Sequence, residues 1–154
     1  MSTTVTAERL RGLEVSVLGD GSAMPNATVN ADTGTITISK TVSNYSVGVP
    51  FTRRIITLTP EIGSAAGSSQ GNSMRISEIT VRVLESLGLK INGQTVPFRR
   101  MGREKLDEGL VPVSGEYRMG NLGWDRGEAQ IEITHDQPLP LHILSVIKKI
   151  TVND

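Results

Sequence analysis

The sequence predicts an all-β chain: a single β-sandwich or barrel-like domain of mostly antiparallel strands with two long polar loops. Three observations carry this. Apolar residues recur with period two along most of the chain and with period 3.6 almost nowhere. Aromatic residues make up 3% of the 154 positions, so a core must come from Val, Ile and Leu, a composition that favours strands. Glycine-bearing turn dipeptides recur at about the 8–12 residue spacing of sandwiches and barrels.

Taken in order, residues 1–10 read as a polar N-terminal lead with no apolar signal core, and residues 11–154 as the β domain. Over 12–19, Leu13, Val15 and Val17 alternate with Glu14 and Ser16, the pattern of a half-buried strand. Ile36 and Ile38 alternate with threonines, Tyr45, Val47 and Val49 follow in step, and Ile55, Ile56 and Leu58 come next. Ile76, Ile79, Val81 and Val83 continue the pattern, and Ile131, Ile133 and the stretch 141–152 close it. Gly19-Asp20-Gly21, Asp32-Thr33-Gly34, Asn92-Gly93 and Gly127-Glu128 supply turns, because glycine accepts the positive φ of tight hairpins. Asn92-Gly93, between 89–91 and 96–98, is the clearest hairpin signal. Two segments, 7–13 and 82–89, allow a short helix or helical turn, and neither carries convincing caps.

Two regions break the strand rhythm. Residues 61–73 are small and polar, with Gly63, Gly67 and Gly71 four apart, and predict a flexible or extended surface loop. Residues 99–111 are charge-dense, flanked by Pro97 and Pro112, and predict a second exposed excursion. No domain boundary or internal repeat is evident.

Sixteen basic residues balance sixteen acidic ones, which argues against a dedicated nucleic-acid binder. The absence of cysteine removes disulfides, thiolate zinc sites and cysteine nucleophiles. No apolar run approaches the ~20 residues of a membrane span. Asp32-Thr33-Gly34 is the aspartic-protease trio, but the hydrophobic strand that should precede it is replaced by Val29-Asn30-Ala31. A type I′ or related hairpin turn is the better reading. The glycine-spaced loop lacks the lysine of a phosphate loop and the helix of a dinucleotide fingerprint. His135 and His142 flank Pro138 and Pro140, and neither metal-binding His spacing nor a G-x-S-x-G elbow is present. The residues thus point away from an enzyme, and imply no cofactor and no metal.

The basic doublets are the candidate site: Arg53, Arg54, Arg99, Arg100, Arg103, Lys105, Lys148 and Lys149. They would contact phosphate or pair with carboxylates across a subunit boundary, as interface or lumen-facing residues. No aromatics interleave with them, which disfavours a stacking platform for single strands and favours the interface.

Several stretches, in order, resemble a known family. They are Leu13 to Gly21 (LEVSVLGDG), Val47-Gly48-Val49-Pro50-Phe51, Leu58-Thr59-Pro60-Glu61, the 63–71 loop and Arg75 to Leu89. Gly123-Trp124-Asp125-Arg126, Asp136-Gln137-Pro138-Leu139-Pro140-Leu141 and residues 143–152 complete the set. From about Leu10 to Val152 the chain resembles the C-terminal part of the tail nozzle proteins of short-tailed bacteriophages, the tubular-B-type or packaged-DNA stabilisation proteins. The resemblance implies a structural protein of the virion, made in the host bacterial cytoplasm. It implies a homo-oligomer, usually a hexameric ring, that contacts adaptor and fibre proteins around the DNA exit channel. A neutral wall would let DNA pass transiently without holding it. The competing expectation is a β-sandwich recognition module for a carbohydrate or protein surface, disfavoured by the shortage of aromatics, with Trp124 and two tyrosines on hand.

Overall fold

Period-two patterning becomes strand almost everywhere in the computed structural model, which describes residues 2–61, 63–64, 67–68, 73–98, 111–120, 124–125 and 129–153. The chain is all-β, with sixteen strands in several antiparallel sheets and one 3-10 helix among the described residues. No described sheet closes into a barrel. The chain divides into two compact units, one of Met1–Arg53, Arg99–Pro112 and Asp136–Pro140, the other of Arg54–Phe98, Val113–His135 and Leu141–Asp154.

The first unit contains β1 (Ser2–Thr6), β2 (Glu14–Gly19), β3 (Ser22–Ala23), β4 (Ala27–Thr28), β5 (Thr35–Val42) and β6 (Tyr45–Gly48). β1 pairs with β5, setting Val5 opposite Ile36, while β2 pairs with β3, β4 and β6. The first ten residues, expected as a polar lead, therefore supply a core strand. One fully buried side chain, Val5, holds it there against four threonine and serine neighbours. The core of this unit is Val5, Val15, Val17, Val29, Ile36, Ile38 and Val42. All seven are Val or Ile, β-branched residues suited to strands. The helix allowed over 7–13 reduces to a 3-10 turn, Glu8–Leu10, without a side-chain cap.

Turn chemistry fixes the connections. Asp20 and Gly21 both take positive φ, 46° and 78°, the signature of a type I′ hairpin between β2 and β3. The Asp20 carboxylate accepts the backbone N–H of Ser43 at 2.9 Å and of Asn44 at 2.8 Å, which clamps this hairpin to the β5–β6 connection. Those two bonds, Asn44 first, hold the Asp20 pKa below its ordinary 3.8. The ionised form is thus favoured in the folded state, so its contribution is present above pH 3.8 and is lost as pH falls through the lower folded value. An Asp20→Asn variant should be less stable near pH 7, with the gap to the parent closing on the acid limb. Urea midpoints across about pH 7 to 2 measure it, and a constant gap would remove the clamp as its cause.

The second unit begins with β7 (Arg53–Ile56) at the unit boundary, then β8 (Gly63–Ser64), β9 (Gly67–Ser68) and the long β10 (Ser73–Ser86). β11 (Lys90–Ile91), β12 (Gln94–Thr95), β13 (Val113–Gly120), β14 (Trp124–Asp125), β15 (Glu132–His135) and β16 (His142–Asn153) follow. One sheet sets β10 between β13 and β16, with β14 beside its start; the other runs β12-β11-β15-β7. The helical turn allowed over 82–89 is overridden: β10 continues to Ser86, because Arg82 and Val83 pair with both β13 and β16, Leu84 with β16 and Ser86 with β13. Asn92 and Gly93, φ 47° and 77°, make the expected type I′ hairpin.

Met74, Ile76, Ile79, Val81 and Val83 of β10 are buried. The opposite face carries a charge ladder, with Arg82 opposite Glu116 of β13 and Glu78 opposite Lys149 of β16. Phe98 meets Tyr117 edge-on, ring centres 4.6 Å apart. Within 61–73, where a flexible or extended loop was expected, β8 and β9 pair Gly63 with Ser68 and Ser64 with Gly67. The 99–110 excursion and Gly127-Glu128 lie outside the described residues. No described helix is long and apolar enough to cross a membrane.

Candidate functional site

Four of the eight basic candidates fall on described residues, and the structure separates them. Arg53 stacks its guanidinium over the Phe51 ring, 4.7 Å from the centroid, and Nη1 donates to the Gln137 carbonyl at 3.4 Å. Arg54 forms an ion pair within the chain with Glu132 of β15. Period-two geometry thus sends the two arginines to different partners. Lys148 reaches from β16 to donate to Thr57 Oγ1 at 3.3 Å and the Leu58 carbonyl at 3.0 Å. Lys149 is exposed on the charge-ladder side, opposite Glu78. Arg99, Arg100, Arg103 and Lys105 lie outside the described residues.

Lys148 tethers β16 to the segment that follows β7. Burial disfavours its ammonium and lowers its pKa from 10.5. In the pH range below 10.5 the unfolded chain therefore binds more protons than the folded one, so stability rises with pH there. Lys148→Met keeps the stem and should flatten that alkaline rise, read as urea midpoints between about pH 8 and 10.5. An unchanged slope would assign the rise to another group.

Asp32 is exposed in a turn organised by Asn30, whose Oδ1 accepts the N–H of Asp32 at 2.8 Å and of Thr33 at 3.0 Å. Positive φ falls on Gly34 alone within this turn, so it is a wider turn and not the type I′ that was expected. The two histidines serve the backbone. Buried His135 places Nε2 3.1 Å from the Leu87 carbonyl, and exposed His142 places Nδ1 3.3 Å from that of Leu84. A ring nitrogen bonding a carbonyl carries its proton and is not a metal ligand in that state. No described group of three or more His, Asp or Glu side chains is placed to hold a metal.

The feature that the basic-residue reading missed is a groove of about 570 Å³ in the first unit. Its origin is register. β2 and β6 pair Ser16 with Gly48 and Leu18 with Ser46, so three of these four positions on one face of the pair carry small residues. The opposite face sends Val17 into the core and packs Val47 against it. An added Cβ at Gly48 would meet nothing within 4 Å. Missing side-chain volume is what makes the surface concave.

Val49, Pro50 and Phe51 line it together with Asp136 to Pro140. Phe51 is 65% exposed and Val49 56%, while Leu139 is buried. Arg53 and Asp136 stand in the lining as one cation and one anion. Below, Ser16 Oγ donates to Asn26 Oδ1 at 3.0 Å, and Asn26 Nδ2 donates to Glu14 at 3.1 Å. The signal was present in the sequence: Val49-Pro50-Phe51 and Pro138-Leu139-Pro140 put apolar residues beside prolines. No protein-family model matches this chain, and no curated protein matches it.

Proposed function

We propose that this chain is a structural module of a bacteriophage tail, of the nozzle type, making subunit and tail-component contacts around the DNA exit channel. The observation that carries the assembly part is apolar exposure on an edge strand. Among the described strands β7 ends its sheet, and it is exposed at all four positions; Ile55 and Ile56 are 53% and 46% exposed, and Leu58 just beyond is 85% exposed. Apolar side chains of this size on an open strand edge are covered in stable assemblies and promote aggregation otherwise. The tail part rests on the ordered resemblance of the sequence, two of whose stretches, 47–51 and 136–141, contribute most of the groove walls.

Light scattering on the purified chain, followed by imaging, tests the proposal. The expected result is a closed ring, hexameric by the resemblance, or binding to adaptor or fibre proteins of a short-tailed phage. A strict monomer that binds none of them would overturn it. Because the chain is neutral, its affinity for duplex DNA at physiological salt should be weaker than about 1 μM. Tighter binding would point to a DNA-gripping role instead.

A further inference from the structure

We propose that the groove beside β6 is a docking site for an extended, uncharged peptide segment of a partner protein, bound as an added strand with aliphatic side chains in the groove. This goes beyond the tail reading and does not depend on it.

Three observations converge. First, β6 pairs with β2 along one edge, and no described strand pairs with its other edge. Three of its four residues are exposed. Backbone N–H and C=O groups on such an edge are the hydrogen-bonding half of strand addition. Second, side-chain space lies on the β2–β6 face that borders that edge. The Ser16–Gly48 and Leu18–Ser46 register leaves a trough about 570 Å³ in volume, within the range of binding clefts. Its apolar walls include Phe51 and Val49, both largely in water. In strand addition, alternate side chains of the incoming segment fall on one face, which is the face this trough occupies. Third, the charges of the lining cancel, Arg53 against Asp136, so the site favours neither an acidic nor a basic segment. Pro50, Pro138 and Pro140 stiffen the walls, which lowers the entropy lost on binding.

Gly48 supplies a clean test. It lines the groove, its φ is outside the left-handed region, and a Cβ there meets open space. Gly48→Ile should therefore fold normally, strands preferring β-branched residues, while filling the trough. The probe is the capped peptide Ac-Gly-Thr-Val-Thr-Val-Thr-Gly-amide, titrated into the whole chain and followed by amide NMR shifts. Saturable shifts are expected at Ser46 to Val49, at Phe51, and at Asp136, Gln137 and Leu139. Affinity should fall about tenfold or more in Gly48→Ile at unchanged melting temperature, and by a similar factor when the valines become Glu or Lys. Backbone N-methylation of the peptide should weaken it comparably, since an N-methyl removes a strand hydrogen bond.

The proposal is overturned if no saturable shift appears at millimolar peptide, if Gly48→Ile binds equally well, or if the charged peptides bind as tightly. Shifts at these residues with benzyl alcohol, but not with the peptide, would make the groove a small-molecule pocket and equally overturn it. A ring that forms in the Gly48→Ile variant would leave the tail proposal standing while this experiment decides the groove.

Discussion

Gly34→Ala is expected to destabilise the first unit by about 2–3 kcal/mol, as backbone strain adds to a steric clash. Gly34 sits at φ 68°, in the left-handed region where a Cβ crowds the following carbonyl. The added Cβ would also lie 3.0 Å from the Glu8 Cα and 3.0 Å from Arg11 Nε. The first of these neighbours is backbone and cannot swing away. The position is also pinned by hydrogen bonds, since Gly34 N donates to the Asn30 carbonyl at 2.9 Å and its own carbonyl accepts Ala7 N at 2.8 Å. Relaxation would thus pull on the turn and on the end of β1 together. Gly12→Ala is the control. Gly12 has a similar φ, 76°, but an added Cβ there meets nothing within 4 Å, so only the strain of about 1–2 kcal/mol remains. Equal losses in urea denaturation would show that the Glu8 contact costs nothing.

Ile79→Ala should cost about 3 kcal/mol, within the 2–5 kcal/mol range for truncating a buried isoleucine. Ile79 is fully buried and lies at the middle of β10, with Met119 of β13 on one side and Lys148 of β16 on the other. Two flanking strands hold the backbone, so the cavity has little freedom to collapse. Ile147→Ala tests the opposite face of the same sheet. Ile147 pairs with Thr80, next along β10 from Ile79, and is 58% exposed, so its loss should change stability by no more than about 0.5 kcal/mol. A large loss at Ile147 would mean that this face is covered in solution, and would add to the case for assembly.

How much of this was legible in the sequence depends on whether the deciding interaction is local. The strands were legible because alternation of Val and Ile is a local pattern that a pleated sheet enforces residue by residue. Hairpins at Asp20-Gly21 and Asn92-Gly93 were legible because positive φ is a demand on two adjacent residues. Val5 was not. A single apolar residue among threonines gives no pattern, and its burial comes from pairing with β5, some thirty residues away in sequence. The segment 82–89 failed for the same reason, local helical spacing being overridden over 82–86 by pairing with distant strands.

The candidate site divides along the same line. Basic doublets are conspicuous in a neutral sequence, yet Arg53, Arg54, Lys148 and Lys149 go to four different environments, a carbonyl and a ring, a carboxylate, a hydroxyl and a carbonyl, and an exposed sheet face. Adjacency along a strand separates side chains by face, so a doublet is not a patch. The groove, conversely, is nearly invisible one residue at a time. Ser16, Ser46 and Gly48 are ordinary residues until antiparallel register sets them side by side. Sequence alone determined the fold class, the hairpin turns and the mainly aliphatic make-up of the core, because short-range sterics and period-two burial act on neighbours. Only the tertiary structure decided which faces stay open and where side-chain volume is missing, because both depend on which distant strands pair, and in what register.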